Sequence, residues 1–176
     1  RLVSLINDIL RLSQLDEGGQ MPTEPVELHA LAQETAQSLA DMAAAQNVTI
    51  SVTGTAATMT GVRRLLGEIV RNLCENGVKY NVPGGRVTVE TGETARNVTL
   101  TVRDTGIGIP AAEQSRVFER FYRVDKSHSR AIGGTGLGLS IVKHAVACHH
   151  GTIRLESQPG VGTVITVTLP KAPPEN

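Results

Sequence analysis

GGRVTVETGETARNVTLTVRDTG, residues 84–106, decides the fold class. Val and Thr alternate through both halves, as in a strand with one face buried, and a polar turn separates them. The segment therefore reads as a hairpin. Working outward, residues 29–46 and 60–80 read as helices, and NVTISVTG (47–54) reads as a strand. Downstream, AAEQSRVFERFYR (111–123) reads as a short helix, 124–135 as a polar, glycine-ended segment and 136–149 as a third long helix. GTIRLESQPGVGTVITVTLP (151–170) adds two strands around a Gly-rich turn. Hairpins and helices interleave without a regular strand-helix-strand alternation. The sequence thus predicts an α+β two-layer sandwich, a mixed and mainly antiparallel sheet covered on one face by helices.

The 176 residues suit one compact domain with an appendage. The appendage is RLVSLINDILRLSQL (1–15), whose apolar positions form the stripe of an amphipathic helix. So broad an apolar face has to pack on the rest of the chain or on a partner helix. QMPTEPVEL (20–28) reads as a linker leading into an extended entry. The chain opens on Arg1 in mid-helix, which reads as a fragment of a longer protein.

Formal net charge is +0, from 17 basic and 17 acidic side chains, so broad attraction to nucleic acid or anionic lipid has no support. Two cysteines, Cys74 and Cys148, make no disulfide framework and no paired metal-ligand motif, which points to a reducing compartment. No apolar run is long enough to span a membrane. There is no Trp, and the four aromatic residues are Tyr80, Phe118, Phe121 and Tyr122, so the core has to be aliphatic.

Three segments carry chemistry. On an ideal helix Glu68, Asn72, Asn76 and Lys79 fall within about 80° of one another, beside an apolar stripe of Leu66, Ile69, Val70 and Leu73. Such a polar stripe suits either a solvated face or the oxygens and charges that hold hydrated Mg²⁺ and phosphate. DTGIGIP (104–110) puts an acid and two glycines at a strand end. It is either a tight turn or a wall against a flat ligand, with the Asp104 carboxylate accepting from an exocyclic amine. A site built on that bond rejects ligands without the donor by roughly 10⁴, which favours adenine over guanine. DTGIGIP also mimics a dinucleotide fingerprint, but Asp125 lies in a polar stretch where an apolar strand should end, so that reading fails. GGTGLGLS (133–140) opens a helix with glycines, as a flexible loop or as an anion site at the positive end of the helix dipole. Leu139 after Gly138 excludes a Walker A loop, which needs Lys there.

In order and spacing, EIVRNLCENGVKYN (68–81), DTGIGIP, VFERFYR (117–123), GTGLGLS (134–140) and GTVITVTLP (162–170) resemble the N, G1, F and G2 boxes and terminal strand of the sensor histidine kinases. That resemblance, over about residues 25–170, implies the ATP-binding fold shared with DNA gyrase, MutL and the heat-shock chaperone ATPases. It implies residues 1–17 as the end of a dimerisation-hairpin helix, 18–28 as linker, 29–171 as the catalytic domain and 172–176 as a tail. The implied activity is transfer of the γ-phosphoryl of MgATP to a histidine on a dimerisation domain, for relay to a response regulator. The alternative is ATP hydrolysis with Glu68 as general base.

The resemblance further implies that Asn72 and Asn76 hold Mg²⁺, with Glu68 supporting the metal or the acceptor. Lys79 contacts phosphate, Tyr80 packs on the nucleotide and Asp104 binds the adenine amine beside Gly106, Gly108 and Ile109. Phe118, Phe121 and Tyr122 anchor a lid reaching about Gly134, and Arg123 reaches the phosphates. Gly134, Thr135, Gly136, Leu137 and Gly138 let the triphosphate meet a helix N-terminus. None of His29, His128, His144, His149 or His150 has the family's phosphoacceptor context, which places that histidine upstream of Arg1. His29 reads as an ordinary surface residue, and consecutive helical residues such as Cys148, His149 and His150 splay too far to share a metal. The resemblance also implies a homodimer in the full-length protein, a cytoplasmic position for this domain and an anchor in the cell membrane.

Overall fold

The computed structural model describes residues 21–124 and 134–172. The amphipathic helix expected at 1–17, most of the expected lid (125–133) and the end of the tail lie outside the described residues. Among the described residues seven strands and four helices follow in order: β1 (Glu24–Glu27), α1 (Leu28–Ser38), α2 (Ala40–Ala45), β2 (Thr49–Gly54), β3 (Thr58–Gly61), α3 (Arg63–Lys79), β4 (Arg86–Glu93), β5 (Asn97–Asp104), α4 (Gly138–Cys148), β6 (Thr152–Gln158) and β7 (Gly162–Pro170). The main sheet has the order β2-β4-β5-β7-β6, antiparallel except for the parallel β2–β4 pair. The expected α+β class and mainly antiparallel sheet are both present.

Alternation in the central strands separates the two faces. Val87 and Val89 of β4, Val98, Leu100 and Val102 of β5, and Ile165, Val167 and Leu169 of β7 point inward and are buried. Thr88, Thr101 and Thr166 belong to the opposite, more open face. The inward residues meet Leu65, Leu66, Ile69, Val70 and Leu73 of α3 and Ile141 and Val142 of α4 in one aliphatic core. Each fully buried Leu or Ile contributes about 2 kcal/mol. No aromatic side chain belongs to this core among the described residues, as the composition predicts.

Three local expectations are corrected. The helix expected over 29–46 breaks at Leu39, whose φ of −99° and ψ of 3° leave the helical region. Thr35 and Ser38 donate side-chain bonds to the carbonyls of Leu31 and Thr35, competing with backbone pairing just before the break. AAEQSRVFERFYR forms a run of turns, with backbone bonds to the third residue back from Glu113, Arg116 and Glu119. Finally, His29 is half-buried, and its Nδ1 lies 2.8 Å from the buried Thr91 hydroxyl.

β3 has no counterpart in the sequence reading, since TMTG is too short to show a period. It pairs antiparallel with β1, which is the extended entry expected after the linker. Val26 and Leu28 are buried in the core, so this entry belongs to the packed unit. Glu27 closes the corner, its carboxylate accepting from the amides of His29 and Ala30 at 2.8 Å and of Ala57 at 2.9 Å.

Candidate functional site

α3 supplies one wall of the site. Leu65, Leu66, Ile69, Val70, Leu73, Cys74, Gly77 and Val78 are its buried face, and Glu68, Asn72, Asn76 and Lys79 are half-buried along the other, as the helical angles predict. Asn72 Nδ2 donates to the Glu68 carbonyl at 2.8 Å and to Glu68 Oε2 at 3.2 Å. Its amide nitrogen is thereby fixed, which leaves Oδ1 to face outward. A Cβ placed on Gly138 would lie 3.0 Å from that oxygen and 3.8 Å from Asn76 Nδ2. The start of α4 thus runs directly over the two asparagines, and a Cβ there would make the Asn72 side chain shift. The Asn76 side chain makes no hydrogen bond among the described residues.

Lys79 is held at the edge of this face by Glu75, at 3.4 Å, and Arg71 approaches the other Glu75 oxygen at 3.3 Å. Glu75 was not singled out from the sequence. Its signal was the spacing of four residues to each cation, which puts all three groups on one side of the helix.

Asp104 is the last inward-facing residue of β5, in register between Val87 and Thr163. Its Cβ lies 3.5 Å from where a Cβ on Gly77 of α3 would sit. Oδ1 accepts from the amides of Gly106 at 2.8 Å and Thr163 at 3.2 Å. Oδ2 has no partner among the described residues. Burial pushes the Asp104 carboxyl above its ordinary range, and the two amides only partly offset it.

The glycines after Asp104 serve approach between protein segments as well as space for a ligand. A Cβ on Gly106 would meet the Tyr80 carbonyl at 2.3 Å. Gly108, at φ +71°, would put one 2.1 Å from the Gln158 carbonyl. Ile107 donates to the Tyr80 carbonyl at 3.0 Å and Ile109 to Ser157 Oγ at 2.8 Å, so this loop bridges the end of α3 and the β6–β7 hairpin. Gln114 reinforces it by donating to the Ile109 and Ser157 carbonyls. Neither Ser157 nor Gln114 was legible in the sequence, because both act on backbone atoms.

The segment from Gly134 to Gly138 forms the facing wall. Leu137 is completely buried and anchors it in the core. The Phe121 amide donates to the Gly136 carbonyl at 2.9 Å, joining this segment to the end of the run of turns. Phe121 takes a left-handed φ of 64° and is 56% exposed. A Cβ on Gly134 would come within 3.0 Å of the Tyr80 hydroxyl, so Tyr80 stands opposite this wall. Tyr122 donates to Glu113 and carries the Arg116 guanidinium 4.2 Å from its ring centre, while Arg123 and Thr135 are half-buried nearby in sequence. α4 has no side-chain cap and no acid in its first turn. Its first N–H groups therefore remain suited to an anion.

The structure thus gathers Glu68, Asn72, Asn76, Lys79, Tyr80, Asp104, Gly134 and Gly138 around the polar face and C-terminal end of α3. Two outward amide side chains and a carboxylate suit Mg²⁺, which keeps most of its waters and takes few protein oxygens. No helix among the described residues is long and apolar enough to cross a membrane.

Comparison with known proteins agrees. The family described as histidine kinase-, DNA gyrase B- and HSP90-like ATPase matches residues 61–173. The chain is 41% identical over 177 residues to the sensor-like histidine kinase SenX3 of Mycolicibacterium smegmatis, covering 98% of this chain and 46% of that protein. It is 35% identical to the sensor histidine kinase RppB of a Synechocystis strain, covering 97% and 38%. The chain thus spans less than half the length of these curated relatives. Among solved structures, the mycobacterial sensor histidine kinase MprB superposes with a TM-score of 0.74 at 33% identity, covering 87% of this chain and 100% of that one. Full-length ShkA, solved in complex with AMPPNP, gives a TM-score of 0.84 at 26% identity, covering 99% and 37%. The chain therefore belongs to the histidine kinase-, DNA gyrase B- and HSP90-like ATPase family, as the ATP-binding catalytic domain of a sensor histidine kinase.

Proposed function

We propose that this domain binds MgATP and passes its γ-phosphoryl group to a histidine on a dimerisation domain, for relay to a response-regulator receiver domain. The observation that carries the reading is the approach of Gly138 to within 3.0 Å, at the Cβ position, of the outward Asn72 oxygen. It sets an uncapped helix N-terminus against an amide face, the arrangement a metal-bound polyphosphate needs. Crystallisation of the similar ShkA with AMPPNP supports a nucleotide as the ligand.

Asn72 and Asn76 hold Mg²⁺, and Glu68 orients Asn72 through the bond to its Nδ2. A Mg²⁺ ion held by Asn72 and Asn76 would supply charge neutralisation at the phosphates. Asp104 accepts the adenine amine through Oδ2, while Gly106, Gly108 and Ile109 border the base and Tyr80 packs on the nucleotide. Lys79 exchanges its Glu75 contact for phosphate, a small cost for a partly exposed ion pair. Gly134, Thr135, Gly136, Leu137 and Gly138 bring the α4 amides to the triphosphate. Phe118, Phe121 and Tyr122 anchor the lid, and Arg123 reaches the phosphates. The full-length protein is a homodimer anchored in the cell membrane with this domain in the cytoplasm, and its dimerisation domain comes from the same or the partner protomer.

The relatives support transfer to histidine over hydrolysis by Glu68. A phosphate-release time course with MgATP tests this. The expected result is nearly no free phosphate from the chain alone. Steady release that Glu68→Gln abolishes would overturn the proposal in favour of hydrolysis.

A further inference from the structure

α3 and α4 run antiparallel and touch at two polar points. One is the Gly138–Asn72 approach in the site. The other lies at the far end, where His149 caps the C-terminus of α4 and is 8% exposed. Its Nδ1 lies 2.8 Å from the Ala145 carbonyl, and its Nε2 lies 3.0 Å from the Val62 amide nitrogen. A carbonyl only accepts and an amide only donates, so the ring is neutral with its proton on Nδ1. One imidazole thereby satisfies a last-turn carbonyl of α4 and the amide of Val62, the N-cap residue of α3, which lacks a side-chain cap of its own. Gly61 makes room for it, since a Cβ there would lie 2.8 Å from Nε2.

We infer that His149 is a positioning residue for the nucleotide site, fixing through Val62 the register of α4 on α3 and so the placement of Gly138 against Asn72. From Val62 to Asn72 is about 15 Å of helix, and from Gly138 to His149 about 16 Å, so the two contacts mark opposite ends of one antiparallel packing. The apolar side chains that both helices bury in the shared core, Leu66 and Ile69 on α3 and Ile141 and Val142 on α4, resist separation but, being non-directional, tolerate small slides. The two directional bonds of His149 at one end remove that freedom. Protonating the ring would turn Nε2 into a donor facing a donor. Burial holds the imidazole below its ordinary value, with the neighbouring His150 adding to that effect and the Ala145 bond opposing it. Around the ring, Thr60, Gly61 and Pro170 carry no charge, and Cys148 and His150 are the titratable neighbours.

The inference rests on the nucleotide-binding reading, and the test separates the two. His149→Gln keeps an acceptor for Val62, whereas His149→Asn keeps only the local donor to Ala145. AMPPNP with Mg²⁺ is titrated into each folded chain near pH 7.5, and hydrogen exchange of the Val62 amide is followed without nucleotide. The expected result is at least tenfold weaker binding and tenfold faster Val62 exchange for His149→Asn, with His149→Gln within threefold of the unaltered chain. At a pH below the ordinary imidazole range the unaltered chain should lose affinity relative to His149→Gln, and this comparison decides the matter if His149→Asn does not fold. Equal binding by all three chains, or equal losses in both variants, overturns the inference. If the unaltered chain binds no nucleotide, the ATP reading fails, and the Val62 exchange rates still decide whether His149 sets the register.

Discussion

Asp104→Asn separates the binding role of Asp104 from any role in folding. The asparagine Oδ1 can keep both bonds that Asp104 Oδ1 receives, from Gly106 at 2.8 Å and Thr163 at 3.2 Å. Only the outward atom changes, from an oxygen that accepts to a nitrogen that donates. Toward adenine this removes a hydrogen bond to a charged acceptor, worth about 1.5–3 kcal/mol, and leaves two donors facing each other at a further cost of about 1–3 kcal/mol. Affinity should fall by two to four orders of magnitude. Folding gains if anything, because burial already pushes the carboxyl pKa up and the amide avoids a desolvated charge. Calorimetric titration with AMPPNP and a guanosine analogue, beside thermal unfolding, reads both quantities. The expected result is a collapsed adenine preference with an unchanged or slightly raised melting temperature. Adenosine-nucleotide affinity within threefold of the unaltered chain would refute the reasoning.

The same carboxyl predicts a pH dependence. Its pKa is raised in the folded chain, so acidification protonates it early, and the proton sits on the oxygen without a partner. AMPPNP affinity measured from pH 8 down to 4.5 should fall more steeply than in Asp104→Asn, where only the loss due to His149 remains. Gly138→Ala adds a Cβ 3.0 Å from Asn72 Oδ1, and should weaken Mg²⁺–nucleotide binding about tenfold in titrations, with the melting temperature nearly unchanged because a flexible side chain can give way. Phe121→Ala should lower nucleotide affinity more than stability, since the residue is 56% exposed; a large drop in melting temperature at unchanged affinity would contradict it. Glu27→Ala leaves three amides without their acceptor and should cost about 2 kcal/mol, read as a fall of roughly 4–8 °C in thermal unfolding. Burial raises the Glu27 pKa but those amides lower it more, so its net value is depressed. Its contribution is therefore complete above the unfolded carboxyl pKa and is lost as pH falls through about 4.5 toward the folded value.

The polar stripe of α3 was legible because helical angles alone bring Glu68, Asn72, Asn76 and Lys79 together. Asp104 was legible because it ends an alternating strand on the inward phase. Gly134 and Gly138 announced a close approach but not its partners, Tyr80 and Asn72, since a glycine shows that space is short without showing what fills it. AAEQSRVFERFYR misled because its composition favours a helix, while Gln114 and Tyr122 turn their side chains to Ser157, Ile109 and Glu113 and the backbone follows. His149 was hidden for a similar reason. Both its partners are main-chain atoms, one of them 87 residues away, and nothing in CHH distinguishes that histidine from its exposed neighbour.

The most direct test of the kinase account is phosphoryl transfer in trans. The chain is mixed with MgATP labelled on the γ-phosphate and with a separate dimerisation domain carrying the acceptor histidine of a sensor kinase. The account predicts an acid-labile, base-stable phosphohistidine on that domain, lost in Asn76→Ala and in Asp104→Asn, with little free phosphate. Label released only as free phosphate, at the same rate with or without the acceptor domain, would contradict it.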